Sequence, residues 1–211
     1  MINNEKKSRN KIPNNQLDTK ENVSDDSLLG KCLVFIGNNP NSYYKNTVVY
    51  INECNSQTVK GIIINKLLFG SANLEYTKIK TPKSKEIRNI YEELYQGGPE
   101  NPAHGFVLFP KDGYISNDPY SKIQGDVAIS TSFGILQEIL DGLGPDKKII
   151  AMGHCCWNRG ELEWEIFNNE WLIVPSDIDL MFDTNFEEKW QKARQLSGIK
   201  FSGFIQQGGI A

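Results

Sequence analysis

The sequence has no apolar run approaching the roughly 20 residues that cross a bilayer, so no membrane-spanning helix is expected. Its opening stretch, MINNEKKSRNKIPNNQ, carries basic residues but no apolar core segment, so it does not read as a secretory signal. It also lacks the apolar face of a mitochondrial presequence. Histidine is scarce: only His104 and His154 are present. The four cysteines, Cys32, Cys54, Cys155 and Cys156, show no C-x-x-C spacing, and the histidines form no H-x-x-x-H. No metal site is therefore expected. Without a secretion signal, a disulfide framework is not expected either, and reduced thiols in a cytoplasmic setting are the default. Positive charge is not in excess, since 23 Lys and Arg face 26 Asp and Glu for a net charge of −3. The pI is about 5.5. Direct nucleic-acid binding is disfavoured, because neutralising phosphates takes clustered Lys and Arg. The glycine motifs G-x-x-x-x-G-K-[ST] and G-x-G-x-x-G are absent, and no cofactor is expected. No internal repeat is visible.

What remains is ordinary globular composition, 39% hydrophobic over 211 residues, enough for one domain with a sizeable core. Residues 1–27 are rich in Asn, Lys, Asp and Ser. Such a segment buries too little apolar surface to offset its ordering entropy, so a disordered N-terminal tail is expected, followed by one folded domain over 28–211. Runs rich in β-branched residues at 32–36, 47–51 and 59–66 predict strands, the last two joined as a hairpin by ECNSQ. The polar stretch 70–89 reads as a loop with room for a short helix. Residues 94–96 are expected to be extended, 97–99 to break the chain, and 105–109 and 126–130 to be strands.

Ser132 is placed to cap a helix whose apolar residues Phe133, Leu136, Ile139, Leu140 and Leu143 share a face, ended by Gly142, Gly144 and Pro145. The segment 148–178 reads as a strand over 148–152, a glycine turn, a helix over 160–168 and a strand at WLIVP. A further strand is expected at 178–182. Thr184-Asn185-Phe186-Glu187 fits a capping box for a last helix carrying Phe186, Trp190 and Ala193, stopped by Gly198. Lys189, Lys192 and Arg194 beside Glu187 and Glu188 suggest an exposed face of that helix. Strands come in runs broken by a few helices. The expected class is α+β, a single domain with a mostly antiparallel sheet packed by about three helices.

The order of motifs then becomes specific. TVVYI and GIIINK are followed by GGP with GFVLF close behind, then by STS at a helix start. G-x-x-x-W-x-x-G-E-L-E-x-E-I and N-x-x-W-L follow, then PSD and finally W-x-x-A. In this order and spacing, from about residue 28 to 205, the chain resembles the AlgH/YqgE-like family of bacterial proteins. The resemblance implies a compact α+β domain with a coiled, bifurcated sheet packed by helices. One branch of the family is associated with transcriptional regulation of exopolysaccharide synthesis, and the family brings no catalytic residues to carry across. The chain departs from the pattern at His154, Cys155 and Cys156, where many relatives have Tyr or Phe and then small residues. Thiol chemistry here is therefore not a family property.

Several constellations invite chemistry. A cysteine nucleophile needs a thiolate, which a nearby imidazole can stabilise. Adjacent strand residues point to opposite faces, so His154 pairs better with Cys156 than with Cys155. Burial in a reduced core is the commoner role and the one adopted. Glu161, Glu163 and Glu165 read as a solvated helix face that complements the helix dipole rather than as an acid–base pair. Trp157, Trp164 and Trp171 read as core residues or the walls of a shallow pocket.

The leading reading is a non-enzymatic regulatory or interaction protein with a protein partner. The residues assigned to its binding surface are Gly97, Gly98, Pro99, His104, Trp157, Arg159 and Glu161, because loop groups held by a rigid sheet are where binding residues usually sit. The alternative is a small thiol-dependent hydrolase using His154 with Cys155 or Cys156.

Overall fold

The computed structural model describes residues 28–68, 93–114 and 121–198. The expectations for the tail at 1–27 and the loop at 70–89 lie outside those residues. The β-branched runs form β1 (Lys31–Phe35), β2 (Val48–Cys54) and β3 (Thr58–Ile63), with β2 and β3 paired as an antiparallel hairpin. β4 (Leu94–Gln96), β5 (Glu100–Pro110), β6 (Lys122–Gln124) and β7 (Val127–Ser130) follow. Helix α1 (Phe133–Leu140) leads to the long strand β8 (Ile149–Asn158), helix α2 (Arg159–Phe167) and β9 (Trp171–Pro175). A π-helical turn (Asp179–Asp183) and helix α3 (Phe186–Leu196) complete the described chain.

The strands form one sheet in the order β6-β7-β5-β8-β3-β2-β1-β9, with β4 added in parallel to β8. The sheet curls on itself. Gln124, at the end of β6, donates through Nε2 to the Asn52 carbonyl (2.6 Å), and the Tyr50 hydroxyl donates to the Gln124 side chain (3.3 Å). One edge of the sheet thereby reaches β2, near the other.

This overturns the α+β expectation. Of the described residues 39% are in strands and 24% in helices, and the architecture is a curled antiparallel half-barrel with few helices. The physical reason is length. The helices are short, with 8, 9 and 11 residues in α1, α2 and α3, whereas β5 and β8 run for 11 and 10. Most of the core is therefore made by the sheet folding over its own side chains. The cluster of Tyr50, Ile62, Phe106, Leu108, Ile149 and Ala151 fills its inner face, and the π-helical turn and α3 add Leu180, Met181 and Ala193. Trp157, Leu162 and Trp171 anchor α2 on the opposite face, and Ile135 and Ile139 anchor α1 on a third cluster.

Two local expectations are corrected. Residues 178–182 are not a strand. Asp177 accepts from Leu180 N through Oδ1 (2.8 Å) and from Met181 N through its carbonyl (2.9 Å), which winds the chain into a turn. Consecutive Leu180 and Met181 are both fully buried, which a strand with alternating faces would not allow. The cap of α3 is Asn185, whose Oδ1 accepts from Glu187 N (3.2 Å), while the Thr184 hydroxyl donates back to the Asp179 carbonyl (2.6 Å). Ser132 caps α1 as expected, accepting from Ile135 N. Gly198, at φ +70°, follows the last turn of α3 in the conformation that favours glycine.

Candidate functional site

β8 continues through the segment expected to turn, because Gly153 takes a φ of +73° inside the strand instead of ending it. The reason lies on β4's exit. Gly97 N donates to the Met152 carbonyl (2.7 Å), and the Gly97 carbonyl accepts from Ile63 N (2.8 Å). The Gly97-Gly98 backbone thus passes between β3 and β8. A Cβ on Gly98 would lie 2.0 Å from the His154 carbonyl carbon, and one on Gly153 would lie 2.5 Å from the Gly98 oxygen. Only glycine permits this approach.

Alternation along β8 then sorts the cluster. His154 is buried at 9% exposure and Cys156 is exposed, while Cys155 and Trp157 are buried together in the core on the α2 side. Lys60 on β3 pairs with Cys156, and Glu53 on β2 pairs with Lys60. Lys60 Nζ and Glu53 Oε1 are 2.9 Å apart. On the other side, Glu100 pairs with His154, but the next β5 pair is Gly105 with Met152. The four residues between, Asn101 to His104, swell out of the sheet and are all exposed, with Asn101 at φ +46°. His104 returns over Phe106 (4.8 Å between ring centroids), and Phe106 in turn packs edge-on to His154 (5.9 Å). The two histidines flank one phenylalanine. Register therefore lays Glu100, His154, Cys156, Lys60 and Glu53 across four strands.

Burial, then the charge of Lys60 and the neighbouring His104, hold the His154 imidazole below its ordinary value, against Glu100 and Glu53. It is a neutral ring near pH 7, and its buried Nδ1 has no partner among the described residues. Cys155 is a different case. Its Sγ donates to the Gly97 carbonyl (3.6 Å), and burial pushes its thiol up to about 12, although Tyr44 and Lys66 pull the other way. A thiol held there is not a nucleophile at neutral pH. Among the described residues no group of three or more His, Cys, Asp and Glu is arranged for a metal.

The remaining residues assigned to a binding surface separate. Gly97 and Gly98 are buried backbone, whereas Pro99 and His104 are exposed. Trp157 is buried, stacked edge-on to Trp171 (5.7 Å) with Tyr44 beside both. Arg159 ties α2 to the β2–β3 turn, donating to the Asn55 carbonyl (3.2 Å) and pairing with Glu163 (3.0 Å). Glu161 is exposed. Glu165 accepts from Trp171 Nε1 (2.7 Å), and burial raises its carboxyl. Trp164 and Phe167 stand out from α2 at 61% and 80% exposure.

Sequence reading missed Lys60, Glu53 and Phe106, whose place depends on strand register. It also placed Lys189 on an exposed face, where the structure buries it to 3% exposure. Its spacing three residues after Phe186, on the side of the helix that packs, was the available signal.

These features define a class: a small β-rich half-barrel whose centre is a glycine-threaded contact between β4, β3 and β8, rimmed by an ionisable row. No helix among the described residues is long and apolar enough to cross a membrane. The chain belongs to the AlgH-like family, whose sequence model matches residues 34–202. It is similar to a UPF0301 protein of Shewanella loihica, 31% identical over 186 residues, covering 88% of this chain and 100% of the relative. A UPF0301 protein of Vibrio cholerae is 34% identical over 190 residues, with 88% and 100% covered. Among solved structures, the AlgH protein of Pseudomonas aeruginosa superposes with a TM-score of 0.64 at 31% identity, covering 86% of this chain and 95% of that one. A Corynebacterium diphtheriae protein matches at TM-score 0.57 and 15% identity, covering 78% and 84%, and shares the fold.

Proposed function

We propose that the protein is a non-enzymatic regulatory protein that acts by binding a protein partner in the cytoplasm. The observation that carries this reading is the aromatic pair Trp164 and Phe167. Two large apolar side chains face solvent on a helix that Leu162 and Arg159 fix rigidly to the sheet. Exposed aromatics on rigid elements are typical anchors of protein interfaces. Glu161 is exposed on the same helix, so the matching partner surface is apolar with a basic rim. The swollen loop of Pro99 to His104 is the second contact region. Regulation of transcription, which the family resemblance suggests, would then run through that partner. A net charge of −3 gives no footprint for DNA itself.

The test is affinity isolation from the source cytosol at moderate salt, with and without nuclease, comparing wild type with Trp164→Ala and His104→Ala. Supporting evidence is a stoichiometric protein retained by wild type and weakened in the variants, while circular dichroism of the variants stays unchanged. Nuclease-sensitive retention would replace the protein partner with nucleic acid. An empty, folded wild type would overturn the reading.

A further inference from the structure

Lys189 lies on the first turn of α3, yet only 3% of it is exposed. Among the described residues its ammonium makes no ion pair and no hydrogen bond, and the ring of Tyr95 lies 5.7 Å away. It lines a cavity of about 150 Å³ between β4, the start of β8, the π-helical turn and the start of α3. The titratable groups that share this cavity are Glu93 and Tyr95 from the β4 side and Lys148 just ahead of β8. The π-helical turn contributes only apolar side chains, and α3 adds Phe186 behind its cap Asn185. The Tyr95 hydroxyl donates to Glu93 Oε2 (2.6 Å), so the one acid among the described lining residues is engaged by the phenol and not by the amine. Burial pushes the Lys189 amine down to about 8, with Glu93 acting in the opposite sense. A desolvated lysine beside open space is a nucleophile in waiting.

We propose that this cavity is a reversible covalent site in which the Lys189 amine condenses with a small carbonyl compound, an aldehyde or a 2-oxo acid. The nitrogen lone pair forms a bond to the carbonyl carbon, the carbonyl π electrons move to oxygen, and as oxygen takes up one proton nitrogen gives one up. The resulting carbinolamine loses that oxygen as water while nitrogen gives up its proton and the C=N bond forms. One amine and one carbonyl give one imine and one water, with no change of oxidation state. Burial and the bond to Glu93 push the Tyr95 hydroxyl well above its ordinary value, so the proton is relayed by solvent entering the cavity and not by this pair. The Lys148 ammonium, on the same wall, attracts the carboxylate of a 2-oxo acid. The site is independent of the partner surface on α2, and either can fail without the other.

The experiment exposes the full-length protein to glyoxylate with cyanoborohydride, which reduces any imine to a stable amine, and maps the adducts by peptide mass spectrometry. Lys189 is expected to be modified about tenfold faster than the exposed Lys147, because burial lowers the Lys189 amine and leaves a share of it neutral near pH 7. Its rate should rise with pH and level off above about 8. Lys189→Arg, which keeps the charge but forms no stable imine, should lose that adduct and leave the others unchanged. Modification spread over exposed lysines, with Lys189 no faster than Lys147, overturns the proposal. The wild-type map alone decides this, whether or not the variant folds.

Discussion

Gly98→Ala should be among the most damaging single-methyl additions in this protein. A Cβ there meets the His154 carbonyl carbon at 2.0 Å, its oxygen at 2.2 Å and Cys155 N at 2.4 Å. All three are backbone atoms, so no side chain can swing aside. Reaching an ordinary contact of about 3.5 Å means opening the β4–β8 approach by roughly 1 Å or more. That movement breaks the bonds from Gly97 N to Met152 O and from Ile63 N to Gly97 O, at 2.7 and 2.8 Å. Each is worth about 1 kcal/mol net, and a buried backbone group left unpaired costs about 1–3 kcal/mol more. Overpacking alone costs about 1–3 kcal/mol. The expected loss is at least about 4 kcal/mol, read as a fall in the urea midpoint at unchanged slope. Gly160→Ala is the matched control, since a Cβ there meets nothing within 4 Å and the residue is in α2. It should gain up to about 1 kcal/mol, because alanine is the better helix former. Equal stability of Gly98→Ala and wild type would refute the claim that the two backbones touch.

The two tryptophan environments should separate in the same assay. Trp157→Ala, which empties an aromatic cluster in the core, should cost about 3–5 kcal/mol. Trp164→Ala, at an exposed position, should stay within about 0.5 kcal/mol of wild type. Thiol alkylation under native conditions should label exposed Cys156 and spare Cys155 and Cys32, whose thiols burial pushes to about 12. Rapid native labelling of Cys155 would favour the thiol-enzyme alternative. Lys189 predicts a pH signature. Its folded value of about 8 lies below its ordinary 10.5, so between them the unfolded chain binds more protons. Stability should therefore rise from about pH 8 to 10.5 in wild type relative to Lys189→Met, and parallel curves would show that the amine is not desolvated.

The start of α1, the stop of α3 and the β2–β3 hairpin were legible in the sequence because a few neighbouring residues settle them. Ser132 bonds to a backbone group three residues away, and Gly198 needs only its own φ to stop α3. The hairpin of β2 and β3 needs only two β-branched runs and a short polar link. The family was legible too, since its motifs are ordered along the chain. The misread elements have a different character. Residues 178–182 look like a strand by propensity, but Asp177 and the buried Leu180–Met181 pair wind them into a turn. The glycine at 153 looks like a stop, but it keeps β8 going by yielding to Gly98.

The sequence by itself determined the hairpin of β2 and β3, the three helices, which family the chain belongs to, and a net charge of −3. Only the tertiary structure decided the half-barrel class, the partner exchange along β8, the row of Glu53, Lys60, Cys156 and His154, and the burial of Lys189. Each of these depends on which strands meet and in what register. That choice is made by backbone bonds between distant segments, such as Ile63 with Gly97 and Gly97 with Met152, and by the curl that brings Gln124 onto β2. A local window of sequence carries side-chain preference and turn chemistry, but not the pairing that sets these distances.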